Sequence, residues 1–186
     1  MDKPQLTTER TLISLLEFND VDDIVNFYIE NEKHLSPWDP KKPEGFFTRE
    51  YWIEKVQSAH NEWLEKKALR LIIKQKVDEK VIGFMTFSSF ERGPFQACRL
   101  GYKIHFENEG KGYMSEALKE GIRFMFEDLN FHRIESNYIP SNERSGRVLE
   151  RMGFKKEGLA ENYLHINGEW RDHILTSLTN LYWREQ

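Results

Sequence analysis

Hydrophobic positions change their spacing repeatedly along the chain, and each change marks an element. Thr11-Leu12-Ile13-Ser14-Leu15-Leu16 predicts a first strand. After Asp20, Val21, Ile24, Val25, Tyr28 and Ile29 recur at helical spacing, so a helix opens there. Pro37, Pro40 and Pro43, each without an N–H, predict a loop. Thr48 suits the N-cap of a second helix, with Trp52, Val56, Ala59 and Trp63 on one face. Leu69 to Ile73 and Val81 to Phe90 flank Asp78-Glu79 and read as a hairpin, followed by a strand over Phe95 to Phe106 once Gly93-Pro94 has turned the chain. From Gly112, Leu118, Gly121, Ile122, Met125 and Leu129 predict a helix. Arg133 to Ile139 is strand-like, Ser141-Asn142 caps a short helix to Met152, and Gly153-Phe154 turns the chain back. Asn167-Gly168 joins Tyr163–Ile166 to Glu169–Leu178 as a hairpin. The sum is an α+β fold: a mixed, mostly antiparallel twisted sheet flanked by about four helices.

Composition narrows the class. A chain of 186 residues with 39% apolar and 13% aromatic residues suits a single domain, expected over 1–186. The formal charge of −4 argues against a protein built to grip a nucleic acid backbone, so no DNA partner is expected. Met1 to Arg10 carries no apolar core of a secretory signal, and no long apolar run predicts a membrane span, so the expected location is the cytoplasm. The lone cysteine, Cys98, lies in an apolar strand pattern and reads as core; the six histidines show no ligand spacing, so no metal site is expected.

The candidate chemistry sits in Tyr102-Lys103-Ile104-His105-Phe106-Glu107-Asn108-Glu109-Gly110-Lys111-Gly112-Tyr113-Met114-Ser115. A strand runs through a glycine turn straight into a helix. Glycines bring the backbone close to a ligand, and the first helical turn adds unpaired N–H groups, an arrangement suited to a phosphate or pyrophosphate. Gly110 and Gly112 could equally do no more than shape the turn. A Walker loop is excluded because Lys111 precedes Gly112, and a dinucleotide fingerprint fails because Ser115 stands where a third glycine belongs.

One strand downstream lie Asn142-Glu143-Arg144-Ser145, Leu149 and Gly153-Phe154. This order resembles the GNAT acetyltransferase superfamily, and the resemblance extends from Leu12 to Leu178. His34-Leu35-Ser36-Pro37-Trp38-Asp39-Pro40, Arg92-Gly93, Leu100-Gly101-Tyr102, Phe131-His132-Arg133-Ile134 and Gly168-Glu169-Trp170-Arg171-Asp172-His173 are similar to the ribosomal-protein-alanine N-acetyltransferase (RimJ-like) group within it. The resemblance implies that acetyl-CoA is bound by Ile104, Phe106, Glu107, Gly110, Lys111, Gly112, Tyr113, Met114 and Ser115, with Asn142, Ser145 and Leu149 along its pantetheine arm. Two positions depart from the superfamily pattern: Glu107 replaces the usual Gln or Arg, and Leu149 replaces the usual general-acid tyrosine, leaving Ser145 as the candidate acid.

The implied reaction is direct acetyl transfer to the N-terminal α-amino group of a ribosomal protein beginning with Ala or Ser. Two alternatives are a GNAT enzyme acting on a polyamine, amino-sugar or antibiotic, and a non-catalytic CoA-binding assembly factor. Trp38, Tyr102 and Tyr138 are expected in the acceptor cleft, and Glu91 is a candidate base beside Glu107, His105, Asp172 and His173. Glu169 to Leu178 is read as an exposed edge able to pair two subunits into a homodimer.

Overall fold

The computed structural model describes residues 3–185. Residues 1, 2 and 186, part of the span expected for the domain, lie outside the described residues. In chain order the elements are β1 (Gln5–Thr7), β2 (Thr11–Leu15), α1 (Val21–Glu30), α2 (Glu32–Leu35), α3 (Arg49–Leu64), β3 (Leu69–Gln75), β4 (Val81–Glu91) and β5 (Ala97–Ile104). They continue with α4 (Tyr113–Arg123), β6 (Arg133–Tyr138), α5 (Glu143–Arg151), β7 (Lys155–Ile166) and β8 (Glu169–Thr179). Among the described residues eight strands form one sheet in the order β1-β2-β3-β4-β5-β6-β8-β7. Every neighbouring pair is antiparallel except β5 with β6.

Two cores hold helices on opposite faces of the sheet. Met114, Ala117 and Leu118 of α4 and Leu149 of α5 pack on Met85, Phe87, Cys98, Leu100 and Ile134. Gly121 lets α4 approach β4 closely, since a Cβ there would stand 2.5 Å from the Met85 methyl. On the other face, Ile24, Phe27 and Tyr28 of α1 with Trp52 and Val56 of α3 cover Ile72 and Phe84. Thr48 caps α3 as expected, accepting the Tyr51 N–H at 3.4 Å. No helix among the described residues is long and apolar enough to cross a membrane.

Several boundaries differ from expectation for visible reasons. The strand expected over Phe95–Phe106 is confined to Ala97–Ile104, because the backbone leaves the ladder into a 3-10 turn at Phe106–Asn108. The helix from Gly112 narrows its regular part to Arg123, and Phe124–Asp128 forms a π turn in which Leu129 N–H reaches Phe124 O at 3.1 Å. β7 begins at Lys155 rather than Tyr163; its side chains are mostly exposed on both faces, so no alternation marks it. The Asn167-Gly168 turn is as expected, both residues taking positive φ. Glu169–Leu178 is not an edge: β8 lies between β6 and β7, its backbone engaged on both sides, so it cannot pair two subunits. The edge strands are β1 and β7.

Candidate functional site

The site arises where β5 and β6 part. Their pairing runs only from Ala97↔Arg133 to Arg99↔Glu135, and the Ser136 hydroxyl donates to Leu100 O at 2.9 Å where the gap begins. Beyond it, Leu100 to Ile104 and Ser136 to Ile139 line a cavity of about 1220 Å³. Successive strand residues point to opposite faces, so a cavity lined by consecutive residues opens on both sides of the sheet. Tyr102, Ile104, Tyr138 and Ser145 line it on the α4/α5 side. On the α1/α3 side lie Lys103 and Asp39, joined to each other, with Trp38 in the same loop. His173 lines that side as well, since it neighbours Ile174, the register partner of Tyr138.

Backbone hydrogen bonding sorts the expected cofactor residues. His105 N–H donates to Ile82 O at 2.8 Å. Because alternate residues of an antiparallel ladder face the partner strand, the N–H of Ile104 turns the other way, into the gap. Phe106 N–H is taken by the Asn31 side-chain oxygen at 2.8 Å, and Glu107 N–H by His105 Nδ1 at 3.2 Å. Neither is free for a ligand, and both side chains are exposed outside the cavity, which corrects the expectation for Phe106 and Glu107. From Gly110 to Ser115, in contrast, no backbone N–H has a partner among the described residues; the first helical bond is Glu116 N–H to Gly112 O at 3.0 Å. Gly110 and Gly112 adopt φ of 71° and 84°, the left-handed backbone of which anion-binding turns are built.

Arg10 holds this turn from behind. It donates to Lys111 O at 3.0 Å and to Glu116 at 2.6 Å, with its guanidinium 4.4 Å from the centre of the Tyr113 ring. Lys111 and Tyr113 do not line the cavity, and their backbone N–H groups are without a partner among the described residues. Beside this turn the carboxylate of Glu109 lines the cavity, paired with Arg144 and 3.0 Å from His34 Nε2.

Asn142 caps α5, accepting the Ser145 N–H at 3.2 Å. The Ser145 hydroxyl lies 2.8 Å from the Tyr102 hydroxyl, which also donates to Ser145 O at 3.1 Å. Burial pushes the Tyr102 phenol up to about 12, so it keeps its proton at neutral pH. α5 comes close to β6 because residue 146 is glycine: a Cβ there would meet the Tyr138 ring at 2.8 Å. Tyr102 and Tyr138, expected in the acceptor cleft, thus belong to the α5 side. Leu149 is 1% exposed within the core, not along a ligand arm. Glu91 stands opposite Ala97, at the far end of β4 from the cavity, so it is no base for this site.

On the opposite side Asp39 is buried and receives Lys103 Nζ at 2.9 and 2.8 Å as well as Lys42. Burial pushes its carboxyl up, but the two ammonium groups outweigh that and hold it below the usual range. Asp39 O accepts Asn167 N–H at 3.1 Å, which ties the proline loop to the β7–β8 turn. Arg70 also lines this side, paired with Glu62 at 2.6 Å. His105 is engaged elsewhere, with Glu30 at 3.0 Å, and Asp172 accepts Asn162 N–H at 2.8 Å. Cys98 is 1% exposed and burial pushes its thiol far up, which leaves it unreactive. Sequence reasoning assigned no role to Asn31, Lys103 or Asp39; Lys103 lies within the candidate stretch and Asp39 within Trp38-Asp39-Pro40, whereas Asn31 carries no signal.

The family profile described as Acetyltransferase (GNAT) domain matches residues 10–155. The ribosomal protein uS5-alanine N-acetyltransferase of Escherichia coli (strain K12) is 39% identical over 181 residues, 97% of this chain and 93% of that protein. The crystal structure of ribosomal-protein-S5-alanine acetyltransferase from Vibrio fischeri superposes with a TM-score of 0.93 at 38% identity, over 98% of this chain and 100% of that one. Mycobacterium smegmatis RimJ, in complex with CoA-disulfide, gives a TM-score of 0.87 at 25% identity, over 95% of this chain and 86% of that one.

Proposed function

The chain belongs to the GNAT acetyltransferase family, and from that premise we propose that it acts in the cytoplasm, as one domain over residues 1–186, on ribosomal protein N-termini. It transfers the acetyl group of acetyl-CoA directly to an α-amino group, with an alanine-starting uS5 as the first candidate acceptor. The observation that carries this reading is the cavity open on both faces of the sheet, which admits a thioester from one side and an amine from the other. The 39% identity to the Escherichia coli enzyme supports the choice of acceptor.

In this reading the N–H groups of Gly110 to Ser115, at the start of α4, hold the pyrophosphate. The Ile104 N–H polarises the thioester carbonyl, a donor worth about 3 kcal/mol when well placed. Ser145 hands a proton to the departing thiolate and draws on the Tyr102 hydroxyl behind it. On the acceptor side Lys103 and Lys42 share Asp39, and Arg70 is paired with Glu62, so these carboxylates are already taken and do not hold an incoming ammonium, which favours a neutral amine. An α-amino group is about 10–20% neutral at pH 7, a lysine side chain only about 0.04%.

The test is acetyl-CoA turnover followed by released thiol, with N-terminal peptides of ribosomal proteins offered beside spermidine and lysine. The highest kcat/KM is expected for the alanine-starting uS5 peptide. Turnover confined to spermidine would move the protein to the small-amine class, and CoA binding without turnover would make it a binding module.

A further inference from the structure

Resting on that acetyltransferase reading, we propose that His173 is the general base that takes the proton from the attacking amine, with Nε2 as the accepting atom. His173 lies on β8, is 3% exposed, and lines the cavity on the acceptor side of the sheet. Its Nδ1 is 3.0 Å from Arg171 O. A carbonyl only accepts, so Nδ1 carries the hydrogen, and a neutral ring then presents its lone pair at Nε2. Among the described residues no protein group bonds that nitrogen, and it is not one of the fully buried unpartnered atoms, so it is the part of an otherwise enclosed ring that stays open. Tyr163 of β7 packs against the ring at 5.6 Å and fixes its plane.

The other carboxylates lining the chamber are all paired, Glu143 with Arg147 at 3.1 Å. Asp39, from the proline loop, is shared by Lys103 of β5 and Lys42. Arg70 of β3 is paired with Glu62 of α3. Glu109 is held by His34 and Arg144. A buried, tautomer-fixed imidazole with one unpartnered nitrogen is the remaining proton acceptor facing this side.

The step balances as follows. The amine lone pair forms the N–C bond, the C–S bond breaks, and sulfur leaves with its electron pair. The amine proton passes to His173 Nε2 and on to solvent. The sulfur receives a proton from Ser145, Ser145 regains one from Tyr102, and solvent returns one to the phenol, matching the proton that His173 releases.

The variant that tests this is His173→Asn, whose side-chain amide can keep the Arg171 bond while removing the Nε2 base. Its kcat is expected to fall about a hundred- to ten-thousand-fold. KM for the peptide and CoA affinity should stay unchanged, and the acid-side limb of the kcat profile should disappear. Added imidazole should restore part of the rate. His173→Gln serves as the second variant, with CoA affinity reporting the fold of each. Equal kcat and an equal pH profile in either folded variant would overturn the base assignment while leaving the acetyltransferase reading intact. Absence of turnover by the unaltered protein on every amine would overturn both.

Discussion

Replacing Asn31 by Asp tests whether one buried amide shapes the approach to the cradle. Asn31 is 0% exposed; it donates to Phe27 O at 2.7 Å and accepts Phe106 N–H at 2.8 Å. An aspartate has the same shape, and one oxygen can keep the Phe106 bond. Its other oxygen faces the Phe27 carbonyl, where only a donor is tolerated, so the folded carboxyl must hold a proton. An unfolded aspartate titrates near about 3.9, so keeping it protonated at pH 7 costs up to about 4 kcal/mol, at about 1.4 kcal/mol per pH unit. The sign follows from a folded pKa raised above the unfolded one: stability is fully present below the unfolded value and is lost as pH rises. Urea unfolding of Asn31→Asp and the unaltered protein across pH 4.5 to about 7.5 should therefore give a difference that widens with pH. CoA affinity should weaken in parallel, because Phe106 N–H anchors the turn that leads to Gly110. A difference independent of pH, or none at pH 7, would refute the reasoning.

Gly112→Ala forces a side chain onto φ of 84° with Arg10 Nη2 at 3.3 Å from the new Cβ; where the free turn relaxes to escape the left-handed cost of about 1–2 kcal/mol, CoA binding must restore it, which predicts roughly tenfold weaker binding by calorimetry. Ser145→Ala and Tyr102→Phe should each lower kcat, and the double variant should lose less than the product of the two, because the hydroxyls are 2.8 Å apart and act in one relay. Asp39→Asn removes a carboxyl held below its usual range by Lys103 and Lys42. Such a group stabilises above its unfolded value and loses that effect as pH falls through the folded one, so the stability advantage of the unaltered protein should shrink in acid.

Local patterns made much of this fold readable. The α1 periodicity, the Thr48 cap, the Asn167-Gly168 turn and the glycine turn before α4 each depend on residues near one another in the chain. The unread parts depend on distance or exposure. Nothing near Phe106 reveals that Asn31, 75 residues earlier, takes its N–H. The exposed faces of β7 give its first half no apolar rhythm, so nothing in the sequence shows that this strand covers β8. Leu149 occupies a helical core position that no spacing rule separates from a ligand-facing one. The parting of β5 from β6 is a property of pairing, and it alone places Ser145 and His173 on opposite sides of one cavity.

The central claim, transfer to an α-amino group, is tested most directly by offering an alanine-starting uS5 peptide together with the same peptide blocked at its N-terminus, both retaining their lysines. Tandem mass spectrometry should find one acetyl group on the free α-amine and none on the blocked peptide. Acetylation of lysine in the blocked peptide, or of neither peptide while CoA remains bound, would contradict the account.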